Sequence, residues 1–256
     1  MYDVYCFDLY GTLIDIRTDE NDLGVWHKMR DWYLAHGVEW SAEGMRLVYR
    51  SSFVKEMIRS KAAVPEADVS RIFFLMFSSG GVTPSEELIA ETAWLFRRET
   101  TRRLRLYAGA KELLGALRQA GKKLILCSDA QRLYTMPELE RFGLIECFDR
   151  IYLSSDLGCK KQDPAFFARV VIENELMPNR CLMVGNDPYS DAEPARNAGM
   201  DAYCVRSAIS PKDAPWALFD RDRMDLKAVR RDLWKWEPEH DEDFGYKPRK
   251  FGRRVR

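Results

Sequence analysis

The sequence predicts an α/β fold, a doubly wound parallel sheet with a helical segment inserted near its start, and three stretches carry that prediction. The first is Tyr2-Asp-Val-Tyr-Cys-Phe-Asp8, an apolar, aromatic and β-branched run that stops at Asp8 and turns through Gly11-Thr12. It reads as a buried strand ending in a functional loop. The second, residues 16–104, keeps the spacing of helices throughout. In the third, residues 109–205, helix and strand alternate at the lengths that make a parallel sheet with right-handed crossovers.

Taken in order, Asn21 or Asp22 caps a first helix ending near His36-Gly37, and Ser41 with Glu43 and Gly44 opens a second running to about Ser60. Pro65 begins a third, which reaches Ser79-Gly80-Gly81. Thr83-Pro84-Ser85-Glu86-Glu87 starts a fourth, with proline at an early helical position and acids in the first turn, lasting to about Arg103. Beyond Gly109 the expected elements are a helix over 110–120, a strand over 123–127 and a helix over 132–142 stopped by Gly143. A strand over 148–153, a helix over 164–174 and a strand over 181–184 follow, then a helix over 187–198 and a strand over 201–205. Asp225 caps a last helix through Leu233 or Trp236. The expected division is a core of residues 1–15 and 105–236, a helical insert of residues 16–104, and a charged tail of residues 237–256.

Composition sets the outer bounds. With 256 residues, 46% of them apolar, the chain suits a large core that needs no staples. It has no apolar run of the length that spans a bilayer and no leader pattern, so a soluble, cytoplasmic protein with no membrane contact is expected. The six cysteines include no C-x-x-C pair and read as buried reduced thiols. His27, His36 and His240 are scattered, which argues against a histidine metal cluster. Forty basic and forty acidic residues cancel, so net charge steers nothing. The tail changes from Glu237-Pro-Glu-His-Asp-Glu-Asp243 to a basic stretch over 246–256 that includes Tyr246 and Phe251. That is the composition of a solvated tail, with contact to RNA or another polyanion as the sharper alternative. The sequence leaves the oligomeric state open.

Carboxylates at strand ends carry the chemistry. Asp8, at the carboxyl end of a buried strand, is the first candidate nucleophile, because open α/β sheets gather their ligand-binding groups there. The strand over 123–127 delivers Ser128 and Asp129, and Lys161 precedes the helix that begins at Pro164, where its point charge can balance crowded carboxylates and an anion. In Val184-Gly185-Asn186-Asp187-Pro188-Tyr-Ser-Asp191, two acids four apart open a helix. Capping needs only one of them, and two facing Asp8 make an oxygen site suited to Mg²⁺.

Phe7-Asp8-Leu9-Tyr10-Gly11-Thr12-Leu13 resembles the first motif of the haloacid dehalogenase superfamily of hydrolases, and Ser128, Lys161 and the Asp187–Asp191 pair follow as its second, third and fourth motifs in order. The resemblance covers the core and implies a Rossmann-like fold, with the insert as a four-helix cap that closes over the site. It implies Asp8 as nucleophile, Ser128 binding the transferred group, and Mg²⁺ held by Asp8, the Tyr10 carbonyl and Asp187, with Asp191 ligating through water or orienting Lys161. The candidate catalytic set is Asp8, Tyr10, Thr12, Ser128 and Lys161; Gly11, Ser128, Asp129 and Lys161 bind a small anionic substrate. Most members carry a second aspartate as general acid and base where this chain has Tyr10, the residue of the dehalogenase branch. Three functions therefore stand: a Mg²⁺-dependent phosphatase-like hydrolase of a small phosphorylated metabolite, a 2-haloacid dehalogenase, and a non-catalytic binding protein on the same scaffold. A dehalogenase also calls for a cap arginine, for which Arg30, Arg46, Arg50 and Arg59 are equal candidates.

Overall fold

The protein is described from a computed structural model covering residues 2–107 and 109–214; the expected helix after Asp225 and the charged tail lie outside the described residues. Five strands, β1 (Val4–Phe7), β4 (Lys123–Ser128), β5 (Arg150–Leu153), β6 (Cys181–Gly185) and β7 (Asp201–Cys204), form one parallel sheet in the order β5-β4-β1-β6-β7. β1 is central because its residues are apolar on both faces. Tyr5 and Phe7 point into one core layer with Leu124, Leu126, Leu182 and Val184, while Val4 and Cys6 point into the other with Ile125, Cys127, Cys181 and Met183. Helices α5 (Ala110–Gln119) and α6 (Arg132–Phe142) cover the first layer through Leu113, Leu114, Leu117 and Leu139. Helices α8 (Pro164–Glu173) and α9 (Glu193–Asn197) cover the second through Phe166, Phe167, Val170 and Ala195. This is the doubly wound arrangement expected, and the short helix α7 (Ser154–Leu157) follows β5. The six cysteines are all free thiols, five of them buried. Among the described residues no helix is long and apolar enough to cross a membrane.

The inserted segment holds α1 (Leu23–Ala35), α2 (Ala42–Arg59), α3 (Val69–Ser79) and α4 (Glu86–Thr100). Asp22, Ser41, Asp68 and Ser85 cap them, each side chain accepting from a backbone N–H of the first turn, which stabilises a helix by about 1 kcal/mol. The four pack around their own apolar centre, with Trp26, Met29, Tyr33, Phe73, Phe77 and Phe96 all buried. Tyr134 of α6 reaches into that centre from the sheet side.

Four expectations are corrected. Residues after Asp15 do not turn helical at once: β2 (Ile14–Thr18) pairs antiparallel with β3 (Thr101–Leu106), a ribbon at the base of the insert. The fourth helix accordingly stops at Thr100, and Pro84 lies outside it, before the Ser85 cap. Pro65 starts no helix, because its segment is extended and bridges Cys159. The stretch after Asp187 opens with a π-helical turn, Pro188–Ala192, before the five residues of α9.

Candidate active site

The carboxyl ends of β1, β4 and β6 bring the strand-end acids together at the centre of the sheet. Asp8 follows β1 and is 5% exposed, its N–H donating to the Val184 carbonyl at 2.9 Å. Its Oδ1 accepts from the Ser128 hydroxyl at 2.9 Å and from Lys161 Nζ at 2.8 Å. Its Oδ2 faces the Thr12 hydroxyl at 3.3 Å. One carboxylate oxygen is thus firmly held and the other more loosely, which orients the carboxylate.

Lys161 is buried between two acids, with Nζ donating also to Asp191 Oδ1. Burial alone would lower its pKa. The charges of Asp191, Asp8 and Asp129 more than offset that and hold the ammonium well above its ordinary value. The lysine main chain is fixed as well, its N–H donating to Asp129 Oδ1 at 2.8 Å. Burial raises Asp129, against the opposing pull of Lys161. Asp191 spends its other oxygen on the N–H groups of Asn186 and Asp187, both at 2.9 Å, so it orients Lys161 and closes the strand-to-helix turn. Asp187 caps that turn, accepting from Tyr189 N at 2.8 Å and Ser190 N at 3.4 Å.

Asp8, Asp187 and Asp191 do not converge as a metal cage, and no group of three His, Cys, Asp or Glu does so among the described residues. A different oxygen cluster stands at the mouth. The Asn186 side-chain nitrogen donates to Asp8 Oδ2 at 3.2 Å and to the Tyr10 carbonyl at 3.0 Å, and the amide oxygen accepts from Ser207 Oγ at 3.3 Å. Asp8 Oδ2 and the Tyr10 carbonyl oxygen thus turn toward one point, as two oxygen ligands of Mg²⁺ must. These two oxygen donors suit Mg²⁺; Asp191 is committed to Lys161 and the turn amides, while Asp187 gives one oxygen, Oδ1, to its turn.

Tyr10 points the other way. Its hydroxyl donates to Glu138 Oε2 at 2.5 Å and lies 3.3 Å from the Thr135 hydroxyl, both on α6. Burial pushes the phenol well above its ordinary value; Arg97 opposes this and Glu138 adds to it. The proton stays on the oxygen, so Tyr10 contributes its carbonyl to the site and no acid or base. Glu138 is fully buried and also accepts from Arg97 of α4, at 2.6 Å from Nε and 3.2 Å from Nη2. The Arg97 guanidinium lies between the Tyr10 and Tyr134 rings, 5.2 and 5.3 Å from their centroids. The insert arginine beside the first motif is therefore Arg97. Arg46 and Arg50 bond Asn21 inside the insert, and Arg30 and Arg59 bond neighbouring acids. Arg97, Glu138, Thr135 and Asn186 were missed as site residues, since each by itself reads as an ordinary polar position of a helix or a turn.

On the opposite side of the site, residues 62–67 of the insert run against the loop that carries Lys161. Lys160 N donates to the Val64 carbonyl at 2.9 Å, Val64 N to Asp163 Oδ2 at 3.1 Å, and Glu66 N to the Gly158 carbonyl at 3.2 Å. Glu66 Oε2 accepts from Ser154 Oγ at 2.7 Å, and Ser154 Oγ accepts from Ala130 N at 2.9 Å, two residues beyond Ser128.

A family model described as haloacid dehalogenase-like hydrolase matches residues 2–199. The chain belongs to the haloacid dehalogenase-like hydrolases. Among curated relatives, a phosphoglycolate phosphatase of Nitrosospira multiformis is 32% identical over 126 residues, 48% of this chain and 55% of that protein. A phosphoserine phosphatase of Thermus thermophilus is 32% identical over 164 residues, 62% of each chain. The chain thus spans less than two thirds of the length of either. Among solved structures, a 2-haloacid dehalogenase of Pseudomonas syringae aligns with a TM-score of 0.61 at 21% identity, covering 92% of this chain and 100% of that one. A haloacid dehalogenase-type phosphatase of Thermococcus onnurineus aligns with a TM-score of 0.56 at 19% identity, covering 90% and 97%. At those identities the two structures bear on the fold alone.

Proposed function

We propose that this haloacid dehalogenase-like hydrolase is a phosphatase of a small phosphorylated metabolite, with Asp8 as its nucleophile. The observation that carries the reading is the asymmetry of Asp8, whose Oδ1 is fixed by Ser128 and Lys161 while Oδ2 and the Tyr10 carbonyl turn toward one point. Phosphatase relatives near 30% identity support the same choice. The Asp8 carboxylate attacks phosphorus, the bond from phosphorus to the leaving oxygen breaks, and the aspartyl-phosphate is hydrolysed by water. Lys161 balances the negative charge that gathers on the phosphoryl oxygens, and the Ser128 hydroxyl binds one of them. Asp8 and the Tyr10 carbonyl would hold Mg²⁺ beside water; the ion would add neutralising charge at the same oxygens.

One observation favours a 2-haloacid dehalogenase as the second reading. The Tyr10 hydroxyl is committed to Glu138, so the usual proton donor two residues beyond the nucleophile is missing. Halide leaves without a proton, whereas an alkoxide leaving from phosphorus benefits from one. Assaying the purified protein on a phosphate-ester panel and a 2-haloacid panel, each with Mg²⁺ or with chelator, separates the two. Phosphatase turnover that falls on chelation is the expected result. Chelator-resistant halide release with no phosphate release would overturn it.

A further inference from the structure

With the Tyr10 hydroxyl bound to Glu138, the phosphatase reading lacks the group that gives a proton to the leaving oxygen and later takes one from water. A replacement must be an acid near the strand ends with an oxygen to spare. Asp191 has none, since one oxygen meets Lys161 and the other the N–H groups of Asn186 and Asp187. Glu66 of the insert has none either, its Oε1 accepting from Ala67 N at 2.9 Å and its Oε2 from Ser154 Oγ at 2.7 Å. Asp187 keeps one oxygen, but it follows β6, on the other side of β1 from the strand that carries Ser128.

Asp129 is placed differently. It follows Ser128 at the end of β4, next to the hydroxyl that donates to Asp8 Oδ1 at 2.9 Å. Its own Oδ1 accepts from Lys161 N at 2.8 Å, and Nζ of the same lysine reaches Asp8 Oδ1 at 2.8 Å. Both neighbours of Asp129, one along the chain and one across a hydrogen bond, therefore touch the nucleophile. Its Oδ2 has no hydrogen-bond partner among the described residues, and the residue is half-buried where Asp8, Ser128, Lys161 and Asp191 are buried. Burial raises its pKa; the Lys161 charge and N–H oppose that, and the charges of Asp8 and Glu66 add to it. Its proton is thus held closer to neutral pH than that of an exposed aspartate. A carboxylate facing a bound phosphoryl group would repel it, whereas the protonated acid donates to its oxygens.

We propose that Asp129 is the acid and base of the reaction, in the role that Tyr10 cannot fill. The proposal rests on the phosphatase reading and adds a catalytic residue to it. In the first half Asp8 bonds to phosphorus and the bond from phosphorus to the leaving oxygen breaks. The electron pair stays on that oxygen, and the Asp129 proton joins it to give the alcohol. In the second half water attacks the aspartyl-phosphate and passes a proton to the Asp129 carboxylate. The bond between phosphorus and Asp8 breaks, inorganic phosphate leaves, and both acids return to their starting forms.

The test compares wild type with Asp129→Asn on two kinds of ester. One is glycerol 3-phosphate, or whichever alkyl ester of the panel the wild type turns over fastest, whose alkoxide needs a proton to leave. The other is p-nitrophenyl phosphate, whose phenolate leaves without one. Asn keeps an oxygen for Lys161 N and cannot exchange a proton, and circular dichroism checks the fold. Asp129→Asn should lower kcat on the alkyl ester by about 10²–10⁴-fold. On p-nitrophenyl phosphate it should release nitrophenolate in a burst and then turn over slowly, because the phosphorylated enzyme waits for a base. Asp129→Ser repeats both measurements if Asn fails to fold. Wild-type kcat in the variant overturns the proposal. So does an equal loss on both esters with no burst, which would make Asp129 a support of the Lys161 loop only. A wild type that releases phosphate from no ester of the panel overturns the phosphatase reading instead, and the role of Asp129 falls with it.

Discussion

Replacing Arg97 by methionine is expected to be the most damaging single change outside the strand ends, although Arg97 lies on the insert. Its guanidinium supplies two of the three donors to Glu138, whose side chain is fully buried, and Tyr10 supplies the third. Two hydrogen bonds to a charged group contribute about 1.5–3 kcal/mol each. Removing one partner of a buried ion pair costs about 3–5 kcal/mol by a separate route. The two ranges overlap, and for a domain of about 150–250 residues they correspond to a fall of roughly 6–20 °C in melting temperature. Adding Glu138→Leu to Arg97→Met should recover most of that loss, because the uncompensated carboxylate goes and the Tyr10 hydroxyl still has Thr135 at 3.3 Å. Urea denaturation of the two single variants and the double one measures the coupling directly. If Arg97→Met costs less than about 1 kcal/mol, as an exposed pair would, the pair is solvated and the reasoning fails.

Asp8→Asn should abolish turnover on whichever panel the wild type acts while leaving the melting temperature within a few degrees; residual turnover above background would exclude Asp8 as nucleophile. Lys161→Met should remove activity and also destabilise, since Asp8 and Asp191 lose the cation between them, and a variant that is inactive but fully stable would contradict the buried pairing. Tyr10→Phe should keep kcat within about threefold, because the hydroxyl faces Glu138 and not the reacting atoms, whereas a general acid or base would cost about 10²–10⁴-fold. Gly11→Ala should lower the melting temperature, since φ is +84° there and the added methyl meets Asn186 and Ile209; a wild-type melting temperature would argue against that contact.

The sheet was legible because its signals are local. Each core strand is an apolar run closed by glycine or by a polar strand end, and the helices between them start and stop on caps read directly from the chain. Asp8 and Ser128 were found for the same reason, as polar residues at abrupt ends of apolar runs, and Lys161 by its place just before the helix that begins at Pro164. The ribbon of β2 and β3 was not, although Ile14 and Ile16, and Leu104 and Leu106, alternate as a strand requires. Arg102, Arg103 and Arg105 made that second stretch look like the polar end of a helix, and what ties it to β2 is a backbone ladder, with Arg103 and Arg105 beside Asp15, to a partner ninety residues away. Glu138 and Arg97 are harder still. On an amphipathic helix a charged residue reads as solvent-facing, and nothing in the chain says that two such residues 41 positions apart bury each other. Asn186 reads in the chain as a turn residue, since its amide matters only through the Asp8 and Tyr10 oxygens that the fold sets beside it.

The seam between residues 62–67 and the loop of Lys161 bears on how freely the helical insert can be exchanged. Grafting a foreign insert between β2 and β3 keeps the ribbon, and by length alone it is a simple splice. It also removes the backbone partners of Gly158, Lys160 and Asp163, which flank the lysine on both sides, and the carboxylate that bonds Ser154. A chimera that changes substrate by exchanging the helices must therefore carry Val64 and Glu66 across with their spacing intact. Otherwise it inherits a lysine loop with unpaired amides, and a loss of rate in such a chimera would reflect a scaffold missing its buttress, whatever the new helices bind.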